Sequence, residues 1–140
     1  MNNQETITQL ETLKLNGMAD AFKGMLTLPL QDRPSLEMAV AKMAEAEIQH
    51  RNRKRTEIYL KTSKLRYSAV LEDVSCSAER NLGKETLLAL SDCGFIARAE
   101  NLLITGKTGC GKSFLACAVG RQACYMGFRV EYYCMIRFIE

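Results

Sequence analysis

The sequence predicts an α/β protein, in which a helical N-terminal domain precedes the opening strand–helix–strand (βαβ) unit of a second domain. Apolar residues recur at helical spacing through the first half of the chain. Nearer the C-terminus, the strand-like runs NLLIT and FRVEYY lie on either side of a helical pattern. We therefore expect a helical domain over residues 1–67, a connector with a short helix over 68–100, and part of an α/β domain over 101–140.

Three helices are predicted in the N-terminal region. An apolar repeat over residues 7–13 marks a short amphipathic helix, which the Asn-Gly pair at 16–17 is expected to end. A second short helix follows, and two prolines within 28–34 indicate a loop. Strong helix formers then predict a long helix over about 36–67.

The composition is that of a folded, water-soluble chain. Of its 140 residues, 47% are hydrophobic and 25% charged, and the formal net charge is +3. No apolar run approaches the roughly 18 residues of a membrane span, and the polar N-terminus lacks the features of a signal peptide. We expect a cytoplasmic protein without a membrane partner.

The six cysteines include no C-x-x-C pair, and the chain has one histidine. This pattern favours reduced thiols packed as small hydrophobic residues over a metal site. Cys110 differs from the others because it lies within a glycine-rich motif, where oxidation or alkylation can reach it.

That motif, GKTGCGKS at residues 106–113, fits the phosphate-binding pattern G-x-x-x-x-G-K-[ST]. Its predicted position between a strand and a helix disfavours the alternative of a glycine-rich turn without a ligand. Glycines allow the backbone to curl so that successive N–H groups face an anion. The predicted cofactor-binding residues are Gly106, Lys107, Thr108, Gly109, Cys110, Gly111, Lys112 and Ser113.

Two of these residues have predicted chemical roles. Lys112 is expected to reach the β- and γ-phosphates of a nucleotide, and Ser113 to offer its hydroxyl to Mg²⁺. Lys107 adds a positive charge to the loop and is more simply explained as an exposed lysine.

Hydrolysis of the nucleotide requires further residues, namely an acid that holds the metal and a group that orients water. The acids that follow Ser113 are Glu131 and Glu140, and neither comes directly after an apolar strand. We therefore predict no catalytic residue, expect a chain shortened at its C-terminus, and leave enzymatic activity open.

A basic segment lies on the predicted long helix and at its end. Its seven cationic residues are Arg51, Arg53, Lys54, Arg55, Lys61, Lys64 and Arg66. Such a cluster is typical either of salt-sensitive, largely sequence-independent DNA binding or of a solvated helix face. The sequence leaves these two interpretations open.

Three stretches, LKLNGMADAF, LEDVSCSAERNL and NLLITGKTGCGKSFLACAVGRQAC, together resemble the IstB-like ATP-binding proteins, the transposition helpers of bacterial insertion sequences. That family is related to the DnaC helicase loaders and belongs to the AAA+ ATPases. The resemblance implies a small helical domain before a nucleotide-binding domain, ATP with Mg²⁺ as cofactors, DNA and a transposase as partners, and self-assembly. The Walker B, sensor and arginine-finger regions of the family have no counterpart after Glu140.

Two other functions fit the same residues. One is a DnaC-like helicase loader. The other is a non-catalytic module that binds DNA or protein and carries a vestigial phosphate loop, in which case DNA binding would survive loss of Lys112.

Overall fold

A computed structural model describes residues 2–140 and shows a helical chain in this range. Its helices are α1 (Asn3–Thr12), α2 (Asn16–Leu26), α3 (Leu36–Ser63), α4 (Lys84–Ser91), α5 (Gly94–Ala97), α6 (Lys112–Tyr125) and α7 (Met135–Ile139). Short 3₁₀ turns occupy Leu30–Asp32, Leu71–Asp73 and Ala78–Arg80. None of the helices described combines the length and the apolar character of a membrane span.

The predicted α/β fold is wrong. Residues 2–140 contain no β-strand, and their bridging is limited to one antiparallel pair, Ser77 with Leu82. The run NLLIT is irregular, with Leu103 86% exposed, and in FRVEYY the N–H of Tyr132 donates to the carbonyl of Ser63 at 2.8 Å. A strand is stabilised by pairing with another strand, and neither run has such a partner in this part of the chain, so no βαβ unit forms.

The predicted helices agree better with the structure than the predicted strands do. The predicted helix after the glycine-rich loop forms as α6, and the short helix expected in the connector forms as α4. The long helix α3 begins as predicted at Leu36 but ends at Ser63, four residues early. The Asn-Gly pair begins α2 instead of ending α1.

The chain groups into two compact units, residues up to Arg55 and residues from Thr56 onward, and α3 contributes to both. The division predicted at residues 67 and 100 stays a prediction. In the first unit α1 packs against α2, and Ile7 and Ala19 are buried. Gly17 lets α2 approach α3 closely, because a Cβ at this position would lie 2.5 Å from the carbonyl oxygen of Ala46.

The core of the second unit is built around α6. Cys117, Ala118 and Val119 of this helix are buried with Ala69 and Leu71 of the connector. Partly buried side chains around them are Leu65, Val74, Leu87, Leu90, Phe95, Phe114, Leu115 and Tyr132. Packing therefore fixes the helix to which the glycine-rich loop is attached.

Three thiols are part of the buried interior, as expected of small hydrophobic residues. Cys93, Cys117 and Cys124 are fully buried, and burial raises the pKa of Cys93 and of Cys124. Cys110 and Cys134 are exposed free cysteines. A raised pKa keeps the thiols of Cys93 and Cys124 protonated and unreactive.

Several helices end on a residue with left-handed backbone geometry. Lys14, Lys64, Cys93 and Ala99 follow α1, α3, α4 and α5 with φ angles of 59°, 55°, 56° and 54°. Gly127 takes this position after α6, with φ of 90°. The left-handed geometry turns the chain out of the helix and is most easily adopted by glycine.

Candidate nucleotide-binding site

The glycine-rich loop leads directly into the first turn of α6. Residues 106–111 form the loop, and Lys112 and Ser113 are the first helical residues. Gly109 and Gly111 have φ angles of 80° and 90°, which L side chains rarely adopt. The structure thus brings all eight predicted residues together at the start of one helix.

The ammonium group of Lys112 is held inside this loop. Its Nζ donates to the carbonyl oxygens of Gly106 at 2.8 Å and Lys107 at 2.7 Å, and lies 3.9 Å from the Sγ of Cys110. An ammonium has three N–H donors, so two bonds to carbonyls leave one donor beside a weakly accepting thiol. Lys112 therefore closes the loop, and the weak bond to the Cys110 sulfur is the contact that an anion would most easily replace.

The N-terminal end of α6 supplies further donors. The first backbone bond of this helix runs from the N–H of Leu115 to the carbonyl of Gly111, at 3.0 Å. Within residues 2–140, the N–H groups of Gly111, Lys112 and Ser113 donate to no other protein group. Unpaired N–H groups and the helix dipole favour an anion at this end, so the residues present fit a polyphosphate.

The Ser113 hydroxyl fits the role of a metal ligand. Ser113 is exposed, and in the described part of the chain its side chain makes no hydrogen bond. Its position next to Lys112 places a neutral oxygen ligand beside the phosphate donors. Hydroxyl, phosphate and water oxygens are ligands that Mg²⁺ prefers.

Arg80 is a residue at this loop that sequence reasoning missed. Its Nη2 donates to the carbonyl of Cys110 at 2.6 Å, while its Nη1 donates to the carbonyl and the hydroxyl of Ser75 at 3.1 and 3.2 Å. Ser77 caps the 3₁₀ turn that carries Arg80 by accepting its N–H. Arg80 and Cys110 are separated by 30 positions, and no spacing rule links a connector arginine to the loop.

The acids that follow the loop are exposed. The carboxylate of Glu131 accepts the hydroxyl of Tyr133 and lies 3.8 Å from the Nη2 of Arg129. Glu140 is also exposed. Both side chains therefore face solvent, and that of Glu131 is engaged by its own neighbours.

The basic segment is exposed at all seven predicted positions. Arg51 pairs with Glu47, Nε to Oε1 at 2.9 Å, as its spacing predicts, and Arg66 lies 5.3 Å from the ring centre of Tyr67. No ion pair within residues 2–140 involves the side chain of Arg53, Lys54 or Arg55. These three cations are therefore available to a polyanion.

The motif, the positive φ angles of Gly109 and Gly111 and the helix that follows are features of the phosphate-loop class, but the strand expected before the loop does not form. Comparison with known proteins gives the family: residues 8–140 match the IstB-like ATP-binding proteins. The chain belongs to this family.

Relatives from two bacteria are similar along most of the chain. A Pseudomonas fluorescens protein named for insertion sequence IS1162 and for ATP binding is 38% identical, and the match covers 100% of this chain and 61% of the relative. Two Sinorhizobium fredii proteins, also named for an insertion sequence and ATP binding, are 37% and 35% identical over 94% and 85% of this chain. The matches cover 53% and 49% of these relatives, so the chain spans about half the length of the proteins it resembles.

Proposed function

We propose that the chain binds ATP with Mg²⁺ at residues 106–113 and acts as a helper of insertion-sequence transposition. The observation that carries this proposal is the closed loop at the start of α6, where Lys112 bonds two loop carbonyls and the first N–H groups of the helix are unpaired. Membership of the IstB-like family supports ATP as the nucleotide.

Different groups of the loop would bind the phosphates and the metal ion. The backbone N–H groups of Gly111, Lys112 and Ser113 would bind phosphate oxygens, and the Lys112 ammonium would neutralise part of their charge. The Ser113 hydroxyl would contribute one ligand to Mg²⁺. The ion supplies Lewis-acid neutralisation of the phosphates when it is bound.

Turnover of the nucleotide is not part of the proposal. Hydrolysis needs an acid for the metal and a group that orients water, and Glu131 is exposed and engaged with Tyr133. We expect this chain to hold ATP without releasing phosphate.

The proposed partners are DNA, a transposase and further copies of the chain. Exposed cations at Arg53, Lys54 and Arg55 support DNA contact through phosphates, because none of them is in an ion pair within residues 2–140. The relatives named for insertion sequences support a role in transposition.

The test is equilibrium binding of a fluorescent ATP analogue with Mg²⁺ to wild type and to Lys112→Ala. Loss of one charge-assisted donor should weaken binding about 10- to 100-fold. Lys84→Ala removes an exposed lysine at the start of α4 and should bind as wild type does. Phosphate release is followed in the same samples and should stay at the level without protein.

Folding of each variant is checked by thermal unfolding without nucleotide. Equal binding by folded wild type and folded Lys112→Ala would refute the proposed site. Phosphate release that depends on Lys112 would leave the site intact and show that the chain turns the nucleotide over.

A further inference from the structure

Arg80 connects the segment before α4 to the phosphate loop. Its guanidinium bridges two backbone carbonyls, that of Ser75 at 3.1 Å and that of Cys110 at 2.6 Å. A third bond joins it to the Ser75 hydroxyl at 3.2 Å. Arg80 thus spans the connector and the loop with a side chain suited to two bonds at once.

The bond to Cys110 determines how one peptide unit of the loop is turned. The described chain has no cis peptide bonds, and in a trans peptide the C=O and the following N–H point in opposite directions. Because the Cys110 carbonyl points to the Arg80 guanidinium, the N–H of Gly111 points away from Arg80. That N–H is one of the unpaired donors at the start of α6.

Gly111 allows this arrangement. A Cβ built on Gly111 would lie 3.0 Å from the Nη2 of Arg80, and the φ of 90° is itself unfavourable for any other residue. Arg80 and the motif glycine are therefore fitted to each other. The motif pattern accounts for the glycine alone.

We infer that Arg80 is a positioning residue of the phosphate loop, which orients the Cys110–Gly111 peptide so that the Gly111 N–H binds a phosphate oxygen. It acts through the peptide and not by touching the nucleotide. Its effect on affinity rests on the proposed nucleotide binding, whereas its effect on the Gly111 peptide does not.

The experiment compares Arg80→Gln and Arg80→Lys with wild type, using the fluorescent ATP analogue and inorganic tripolyphosphate as separate probes. Arg80→Gln should lower the affinity for both probes about tenfold and to the same extent, because the affected N–H donor binds phosphate. Arg80→Lys should recover only part of the loss, since an ammonium lacks the planar fork that bridges two carbonyls. Arg129→Gln removes an exposed arginine of the same unit and serves as the matched control, with unchanged binding.

A second measurement does not depend on nucleotide. The amide resonance of Gly111 should move in Arg80→Gln and stay in place in Arg129→Gln, because only the first variant releases the Cys110 carbonyl. An unmoved Gly111 resonance would overturn the inference whatever the affinities are.

The affinities separate the other outcomes. Wild-type binding by Arg80→Gln beside weak binding by Lys112→Ala would overturn the role of Arg80 and leave the proposed function standing. Complete rescue by Arg80→Lys would mean that only the positive charge matters, and a loss confined to the ATP analogue would mean contact with the nucleoside. Either result contradicts a positioning role. If wild type binds neither probe, the proposed function fails and the Gly111 resonance alone decides on the peptide.

Discussion

Glu47 is a buried carboxylate of α3 that serves the start of another helix. Its Oε2 accepts the N–H of Met18 at 3.1 Å, and its Oε1 accepts the Nε of Arg51 at 2.9 Å. The Arg51 bond, followed by the N–H groups of Met18 and Gly17, holds the pKa of Glu47 below its ordinary value of 4.5. Because α2 has no side-chain cap at its own N-terminal residue, Glu47 satisfies donors that a local cap would otherwise satisfy.

Glu47→Gln should therefore destabilise the chain in a pH-dependent way. A carboxylate with a lowered pKa stabilises the fold above its ordinary value, and that stability is lost as the pH falls from 4.5 through the folded pKa. The free energies of unfolding of wild type and variant should differ at neutral pH and converge as the pH falls below 4.5 through the lowered pKa of Glu47. Denaturant unfolding at several pH values measures this.

Glu57→Gln is the matched control for this variant. Glu57 is exposed on the same helix, and it is in no ion pair within the described residues. Its replacement should leave the unfolding free energy unchanged. A difference between wild type and Glu47→Gln that is constant with pH would show that the charge of Glu47 is not what stabilises α2.

At the residue scale, sequence reasoning reached only what is contiguous or regularly spaced. Residues 106–113 could be proposed as a site from sequence because the motif is local and each residue type has a known chemical use. The pairing of Glu47 with Arg51 was identifiable from helical spacing. Arg80 was not, because its contact with Cys110 depends on the path of the connector, and nothing in either segment encodes that path locally.

Among the elements, α2 carries two glycines in opposite environments. A Cβ on Gly17 would lie 2.7 Å from the Cα of Glu47 and 2.8 Å from the Cβ of His50, whereas a Cβ on Gly24 would have no atom within 4 Å. The first glycine permits a close contact between helices. The second only increases the freedom of the unfolded chain.

Alanine at these two positions should have opposite effects on stability. Gly17→Ala should destabilise by about 1–3 kcal/mol, because the added methyl meets backbone that cannot move without shifting α3. Gly24→Ala should stabilise by about 0.5–1 kcal/mol, the usual gain for an exposed helical glycine. Thermal and denaturant unfolding of the two single variants measures both. Equal changes in unfolding free energy for the two variants would contradict the close contact at Gly17.

Element boundaries were predicted unevenly for physical reasons. The predicted helices α4 and α6 formed because local apolar spacing and helix formers agree there. The Asn-Gly pair was misinterpreted as a helix end because glycine can either end a helix or permit close contact between helices. Gly17 has the second role, since it packs against α3. The runs NLLIT and FRVEYY contain residues that are common in strands. Such residues fit a sheet, but a sheet forms only where a second strand is present to pair with.

On the scale of the whole molecule, the cations of the basic segment belong to a modest net charge of +3. We therefore expect the proposed DNA contact to depend on where these cations lie and not on the total charge. Replacing Arg53, Lys54 and Arg55 together with glutamine should weaken duplex binding and make the slope of log affinity against log salt shallower by about 2–3, at 0.9 per lost phosphate contact. Fluorescence anisotropy over a range of salt concentrations measures the slope.

The control keeps the same change in net charge. Lys84, Arg129 and Arg137 are exposed cations outside the segment, and their triple glutamine variant should change the slope much less. Equal slopes for the two triple variants would mean that total charge and not the basic segment governs binding. Several DNA sequences of equal length should give similar affinities, since phosphate contacts carry no sequence information.

The family of the chain was predictable from sequence, whereas its architecture was not. Three separated stretches in the expected order were sufficient for the IstB-like resemblance, and the match over residues 8–140 confirms it. The α/β prediction failed because a sheet is a property of several segments together, and the described residues contain no paired strands. The helical part depends on local spacing and was predicted more closely.

The left-handed helix ends leave this chain with room for greater stability. Lys14 and Ala99 are exposed, and each holds a φ that costs an L residue about 1–2 kcal/mol. Against a typical unfolding free energy of about 5–15 kcal/mol, that strain is a substantial fraction. Glycine at Lys14 or Ala99 would remove this strain without changing the loop or the core. The added stability would offset destabilising substitutions at other positions.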